Sequence, residues 1–222
     1  MSAHPAAGGG RWVVVDAERL TGWLERFVQR HGRAESTGTP TGVTLVAADG
    51  EQAHCLVPFP PLTLDAQQPY LGLVTHAMVE RRVGVLLVRR GGFAAGVFQG
   101  ERLLASRVGA RPVQGRTAAG GWSQQRFARR RHGQVTVALS AAADAAAAVL
   151  VPAAASLDAV VLGGDRGALE HVMADPRLGG LSSLVTGPRL EVPDPRRHVL
   201  LGAPGLFRTV RIRIVEHTSG EE

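Results

Sequence analysis

The fold class is indicated most clearly by residues 83–108, which read VGVLLVRRGGFAAGVFQGERLLASRV. Apolar runs rich in Val, Leu and Phe alternate here with turn signals that contain glycine, a pattern typical of strands joined by hairpins. The three runs lie at 83–88, 93–98 and 102–108. The stretch therefore predicts an antiparallel meander of three strands.

The residues after the meander predict helices and further strands. Phe127, Val135, Ala138 and Ala142 follow a helical spacing, which favours a long helix over 123–150. Further on we expect a buried strand, a short helix and two more strands, at 157–162, 165–173, 181–185 and 207–215. Together these elements predict an α+β fold, a mixed sheet with helices on its faces.

Residues 1–80 predict an N-terminal α/β extension. Leu20, Trp23, Leu24, Phe27 and Val28 form one helical stripe. A strand precedes that helix, and a polar linker, a hairpin and a second short helix follow it, at 11–15, 33–41, 43–57 and 76–82. We expect a disordered lead-in over 1–10, an N-terminal region over 11–80, and one domain over 81–222 with a mobile loop at 109–122.

Composition excludes several classes of protein. The chain has 25 Lys+Arg against 19 Asp+Glu, a formal charge of +6, and all the basic residues are arginine, which a GC-rich genome explains. The single cysteine, Cys55, excludes an internal disulfide and a multi-cysteine zinc site, and its apolar neighbours indicate a buried thiol. Asp144 and Pro152 interrupt the longest apolar run, 141–155, so we expect a cytoplasmic protein without a membrane span.

The positive charge is concentrated in residues 107–131, hereafter the basic segment. It holds seven arginines, and neither Asp nor Glu occurs between Glu101 and Asp144. A glycine-rich stretch leads into a helix start, where free backbone N–H groups and the helix dipole favour anions. Arginine binds phosphate with two parallel hydrogen bonds, so RNA is the expected partner, and a solvated helix face is the alternative.

The centre of this segment reads GGWSQQRFARRR and resembles the catalytic loop and following helix of eukaryotic-type class I release factors, whose pattern is GGQ-S-x-x-R-F-x-R-x-R. Trp122 stands where those factors carry their catalytic glutamine, and Gln124 follows two residues later. This displacement resembles the Vms-like release factors, the peptidyl-tRNA hydrolases of ribosome-associated quality control, in their actinobacterial branch. The matching positions are Gly120, Gly121, Ser123, Arg126, Phe127, Arg129 and Arg131.

The resemblance implies a fold, a reaction and partners. The fold is the RNase H-like middle domain of release factors, and the reaction is hydrolysis of the peptidyl-tRNA ester in ribosome rescue. The implied partners are the peptidyl-transferase centre of the large ribosomal subunit and the tRNA acceptor end, with no cofactor and no metal; we expect a monomer that does not read stop codons. Gln124, or otherwise Gln125, would be catalytic, with Gly120, Gly121, Trp122 and Ser123 positioning the loop. The residues expected to hold RNA are Arg111, Arg116, Arg126, Arg129, Arg130 and Arg131.

Two other functions are compatible with the same residues. A non-catalytic ribosome- or RNA-binding factor would use the arginines without Gln124. A nuclease would need clustered carboxylates to hold two metal ions, and the aspartates show no recognisable arrangement for that chemistry. The candidates are Asp16, Asp49, Asp144, Asp158 and Asp165.

Overall fold

The computed structural model describes residues 3–5, 9–63, 69–89, 91–110, 123–187 and 189–216. Residues 3–5, 69 and 123–133 are described by their backbone alone. The chain divides into two compact units, one formed by 1–79 with 205–222 and the other by 80–204. Each unit has its own sheet and its own hydrophobic core. The predicted α+β class is confirmed.

Within its described residues, the first unit is a six-stranded antiparallel sheet with two longer helices and most of a short third helix before its last strand. Its strand order is β1-β2-β10-β5-β4-β3. The elements are β1 (Ala3–Pro5), β2 (Arg11–Asp16), α1 (Leu20–His31), β3 (Ala34–Thr39), β4 (Gly42–Ala47), β5 (Gln52–Leu56), α2 (Pro69–Met78) and β10 (Thr209–Val215), with a 3-10 turn at Ala17–Arg19. Leu20, Trp23, Leu24 and Phe27 of α1 pack into the core with alternate residues of the strands. The predicted amphipathic helix and the hairpin are confirmed.

Four features of this unit differ from the sequence prediction. The second short helix was expected over 76–82, but it is α2 at Pro69–Met78. The polar linker contains β3, which pairs with β4 along its whole length. Residues 3–5 of the expected disordered lead-in form β1 against β2. The last strand, β10, lies between β2 and β5, so the region expected to run over 81–222 does not hold together as one domain.

The second unit is a four-stranded mixed sheet. Its order is β8-β7-β6-β9, in which β6 and β9 are parallel and the other pairs antiparallel. The elements are β6 (Arg82–Arg89), β7 (Gly92–Gln99), β8 (Arg102–Ala110), α3 (Ser123–Leu150), β9 (Ala159–Gly164), α4 (Arg166–Met173) and α5 (Arg197–Leu201), with 3-10 helices at Val151–Ser156 and Pro176–Leu184. A further short helix, α6 (Pro204–Phe207), precedes β10. The meander and the long helix are confirmed.

One predicted strand of this unit is wrong. Residues 181–185 were expected to form a strand, but Pro176–Leu184 is a 3-10 helix. Pro176 opens this helix and Asp175 caps it by accepting a hydrogen bond from the Arg177 backbone N–H. Leu178 and Leu181, three residues apart and thus on one side of a 3-10 helix, are both buried.

One apolar stretch has the length of a membrane span. Gln134–Ser156 has the length and the apolar composition of a membrane span, although Asp144 lies within it. The core helix of a soluble protein can have the same length and hydropathy. Ala142, Ala146 and Leu150 of this stretch are buried in the core of the second unit.

Candidate functional site

The two elements that flank the candidate loop are β8 and α3. β8 ends at Ala110 and α3 begins at Ser123. Both elements contact β7, and they also contact each other. The twelve residues that join them, 111–122, lie outside the described residues. Gly120, Gly121, Trp122, Arg111 and Arg116, predicted as loop-positioning or RNA-binding residues, belong to this part. The structure therefore defines the two ends of the candidate loop.

The end of β8 is fitted closely to its neighbouring strand. Gly109 pairs with Phe93 of β7, and a Cβ added at Gly109 would collide with the Phe93 ring. The ring is 9% exposed. The absence of a side chain at Gly109 lets Phe93 cover the backbone immediately before the loop begins. Arg107, two residues earlier on this edge strand, is exposed.

The C-terminal part of α3 anchors the helix in the second unit. Ala138, Ala142, Ala145, Ala146 and Leu150 are buried at helical spacing, and four of them belong to the core. Small side chains on this stripe allow α3 to lie close to the sheet. At 1.5 Å per residue, Ser123 lies about 22 Å along the helix axis from Ala138, the first described side chain that is buried.

An ion-pair network also holds α3. Arg177 places Nη2 2.8 Å from Asp144 Oδ1 on α3 and 2.7 Å from Asp175 Oδ2. Hydrogen bonds from the Arg177 side chain and from its backbone N–H hold the pKa of Asp175 at about 2. Asp175 is therefore charged at neutral pH, and Arg177 joins the helix to the 3-10 segment that follows α4.

Both candidate catalytic residues lie in the first turn of α3. The sequence predicted a glutamine on the glycine-rich loop, but the backbone at Gln124 and Gln125 is helical. The first four N–H groups of a helix have no acceptor within it, and the helix dipole is positive at this end. Gln124 and Gln125 therefore belong to the turn whose backbone N–H groups have no acceptor within the helix.

The four arginines of the basic segment that lie on α3 follow the helical repeat. Arg126, Arg129 and Arg130 are spaced at i, i+3 and i+4, which places their backbone positions on one side of the helix. Arg131 is seven residues after Gln124, two turns along the same side as that glutamine. The helical repeat therefore places the backbone positions of Arg126, Arg129 and Arg130 roughly opposite those of Gln124 and Arg131.

The acidic residues considered for metal binding are engaged separately. Asp144 pairs with Arg177, Asp158 accepts the Arg82 backbone N–H, and Asp165 lies 3.5 Å from Arg89. Within the described ranges, no three His, Cys, Asp or Glu side chains come together as a possible metal site. Residues 163–167 run from the end of β9 into α4, and a Cβ at Gly164 would collide with the Val88 carbonyl oxygen.

Sequence reasoning missed one aromatic and basic contact of the first unit. Trp12 of β2 and Arg211 of β10 are in contact, with Arg211 Cζ 4.7 Å from the centre of the indole ring. The alternation of Arg211 and Arg213 with Ile212 and Ile214 is visible in the sequence as a strand pattern. Their meeting with Trp12 depends on β10 pairing with a strand almost 200 residues away, which no local pattern indicates.

Comparison with known proteins gives one family match. The family model described as the Actinobacteria/chloroflexi VLRF1 release factor matches residues 81–213, which is more than half of the chain. This range contains β8, the candidate loop and α3. No curated protein is significantly similar to the chain in sequence.

Several solved structures are similar to the chain at low identity. The archaeal translation termination factor aRF1 is 16% identical with a TM-score of 0.39, over 83% of this chain and 51% of that chain. Dom34 of S. cerevisiae, a translation termination-like factor, is 7% identical with a TM-score of 0.29, over 90% and 65%. Pelota of Archaeoglobus fulgidus is 9% identical with a TM-score of 0.29, over 94% and 68%. The chain thus spans about half the length of aRF1.

Proposed function

Because the chain belongs to the Actinobacteria/chloroflexi VLRF1 release factor family, we propose that it hydrolyses peptidyl-tRNA on the large ribosomal subunit and so frees nascent chains from obstructed ribosomes. The observation that carries this proposal is the family match over 81–213, which spans the Gly-Gly pair and the helix that follows it. The partners in this proposal are the peptidyl-transferase centre and the acceptor end of the tRNA, and the protein acts in the cytoplasm as a monomer without a cofactor.

The reaction joins a water oxygen to the ester carbonyl carbon and breaks the bond from that carbon to the 3′ oxygen of the tRNA ribose, which takes the proton. The ester is already reactive, so the protein has to position water and stabilise the oxyanion of the tetrahedral intermediate. Glutamine suits this task because its neutral amide both donates and accepts hydrogen bonds. The free N–H groups of the first turn of α3 are suitable donors to the oxyanion.

Within this proposal Gln124 positions the water, and Gln125 is the second candidate. The first turn of α3 is positioned against the substrate by Gly120, Gly121, Trp122 and Ser123. Glycine without a Cβ permits close approach of the backbone to RNA. The arginines bind phosphates of ribosomal RNA and tRNA, so they supply affinity and position rather than base recognition. These arginines are Arg111, Arg116, Arg126, Arg129, Arg130 and Arg131.

The test is release of labelled peptide from ribosome-bound peptidyl-tRNA by the full chain. We expect Gln124→Ala to lower the release rate by about 100-fold, the size of effect seen when one group that stabilises a transition state is removed. Arg129→Ala should mainly raise the concentration needed for half-maximal rate. Gln29→Ala, the same change on α1 of the first unit, is the matched control and should release peptide at the wild-type rate.

The outcomes separate the candidates. If Gln125→Ala rather than Gln124→Ala abolishes release, the water-positioning role belongs to Gln125. If the wild-type protein binds ribosomes but releases no peptide, the enzymatic proposal is wrong and a non-catalytic ribosome-binding factor remains.

A further inference from the structure

A small cavity of the first unit lies beside the C-terminal half of α1. It has a volume of about 190 Å³ and is lined by residues of that helix and of strands β2 and β10. Pockets for drug-sized molecules measure about 300–1,000 Å³, so this cavity has room for a small chemical group only. Its lining holds three arginines, one histidine and no acidic residue. The cavity is hereafter the basic pocket.

One wall of the basic pocket is a column of aromatic rings. Trp23 and Phe27, one turn apart on α1, are stacked with their ring centres 5.5 Å apart and their planes inclined by 14°. The His31 ring continues this column, 4.9 Å from the centre of the Phe27 ring. Trp23 and Phe27 both belong to the core of the first unit. The pocket therefore rests on a packed helix face rather than on a loop.

Three arginines surround this aromatic wall. Arg26 and Arg30 are one turn apart on α1, on the same side as Trp23, and Arg11 begins β2, where it pairs with Ile214 of β10. All three arginines are exposed. Among the residues that the structure describes, none of the three has an acidic side chain within 4 Å. Their charges are therefore not neutralised by a neighbour in that part of the chain.

His31 adds a fourth polar group to the pocket. Its Nδ1 lies 2.8 Å from Asp49 Oδ2, and Asp49 also accepts the Glu51 backbone N–H. The hydrogen bonds from the Glu51 N–H and from His31 hold the pKa of Asp49 below its usual value, so this carboxylate is charged at neutral pH. Asp49 does not itself line the pocket. Because Nδ1 is engaged, Nε2 is the ring nitrogen that a bound group can contact.

The other acidic residues of this region lie beyond the two ends of the pocket. At one end, Glu51 and Glu216 follow the last pair of β5 and β10. At the other end, Asp16 and Glu18 precede α1, and Glu18 is paired with Arg208 at 2.6 Å. None of these carboxylates lines the pocket. The walls themselves therefore carry only positive formal charge, which favours an anion between them.

We propose that the basic pocket binds the phosphate of a phosphate monoester, held by Arg11, Arg26 and Arg30 with His31 as a fourth polar contact. Guanidinium groups bind phosphate through paired hydrogen bonds. A monoester carries a charge of about −1.5 to −2 and three free oxygens at neutral pH, whereas each diester of an RNA chain carries a single negative charge. Three arginines around one small cavity match the monoester. Phosphate binding at this pocket goes beyond the proposed hydrolysis and does not depend on it.

NMR of the full chain labelled with nitrogen-15 reports binding at the arginine side chains themselves. Inorganic phosphate, phenyl phosphate and dimethyl phosphate are titrated at constant ionic strength while the arginine Nε–H signals are recorded. We expect inorganic phosphate and phenyl phosphate to shift the signals of Arg11, Arg26 and Arg30 to saturation. Dimethyl phosphate, a diester, should bind about tenfold more weakly because it has less charge to offer. No saturable shift at the three signals, or equal binding of dimethyl phosphate, would overturn the inference.

Substitutions test which arginines hold the phosphate. Arg26→Gln removes a charge and should weaken the binding of phenyl phosphate about tenfold, which is the loss of one hydrogen bond to a charged group. Arg26→Lys keeps the charge but not the planar fork, so its loss should be smaller. The matched control is Arg33→Gln, because Arg33 is exposed, follows the end of α1 and does not line the pocket. An equal loss in Arg33→Gln and Arg26→Gln would mean unspecific attraction and would contradict the proposal.

Two short RNAs distinguish the possible sources of a monoester, which are a small phosphorylated molecule and the end of an RNA chain. If an RNA with a 5′-phosphate shifts the three arginine signals at lower concentration than phenyl phosphate does, the source is an RNA end. If it requires a higher concentration, the source is a small molecule, and either result supports the pocket. The same RNA with a 5′-hydroxyl contains diesters alone, and equal shifts with both RNAs would refute the proposal.

These outcomes are separate from those of the hydrolysis proposal. Gln124→Ala should bind phenyl phosphate as the wild type does. Peptide release without phosphate binding at the basic pocket refutes this inference alone, and phosphate binding without peptide release refutes the hydrolysis alone.

Discussion

At the scale of single residues, Gly109 is important because it lies near the end of β8, just before the candidate loop. The Phe93 ring occupies the space that a side chain at Gly109 would need. We expect Gly109→Ala to lower the free energy of unfolding by about 1–3 kcal/mol, since an added methyl group in a packed site forces neighbours to shift. Urea denaturation of the purified protein measures this change.

Gly167→Ala is the matched control, because it lies in α4 and nothing lies within 4 Å of the added Cβ. Alanine is the better helix former, so this variant should be as stable as the wild type or more stable. The Phe93→Leu background should reduce the cost of Gly109→Ala. An unchanged cost in that background would show that the Phe93 ring is not the cause.

At the scale of elements, α3 contains a glycine between its two functional parts. Gly133 lies inside the helix, after the arginines and before the buried alanine stripe. We expect Gly133→Ala to stabilise α3 by up to about 1 kcal/mol, because glycine loses more backbone freedom than alanine on forming a helix. Hydrogen exchange should slow at the amides of 123–133.

Ala148→Gly is the reverse change at an exposed position of the same helix, and it should speed exchange near residue 148. Faster exchange at 123–133 in Gly133→Ala would contradict the prediction, since it would mean that the methyl group disturbs the helix.

The elements also show which structures could be predicted from the sequence. The meander, the hairpin and α3 were predictable because their apolar periodicity and turn residues agree with the final fold. β3 was missed because Ala34–Thr39 contains no large apolar residue; it is an edge strand held through its pairing with β4. The start of α3 was predictable from Gly121 and Ser123. The spacing of residues along the sequence does not determine which of the two glutamines faces a substrate.

At the scale of the whole molecule, two cores predict two responses to mutation. Ile212 lies in the core of the first unit and Leu150 in that of the second, and both are fully buried. Replacing either by alanine should cost about 2–5 kcal/mol through lost burial and a cavity. Hydrogen exchange should quicken in β2, β5 and β10 for Ile212→Ala and in β6, β7 and β9 for Leu150→Ala.

Each of these variants is the control for the other. Equal acceleration in both sheets by either variant would mean that the chain opens as one cooperative unit. The return of β10 to the first sheet was not predictable from the sequence, because strand pairing across such a separation leaves no local trace.

The position of β10 determines the order in which the two units can form during synthesis. β2 and β5 are synthesised early, whereas the strand between them follows the whole second unit in the chain. The second unit, a continuous stretch of chain, is complete before the first sheet can close. A chain whose synthesis stops short of residue 209 therefore exposes two unpaired strand edges, one on β2 and one on β5.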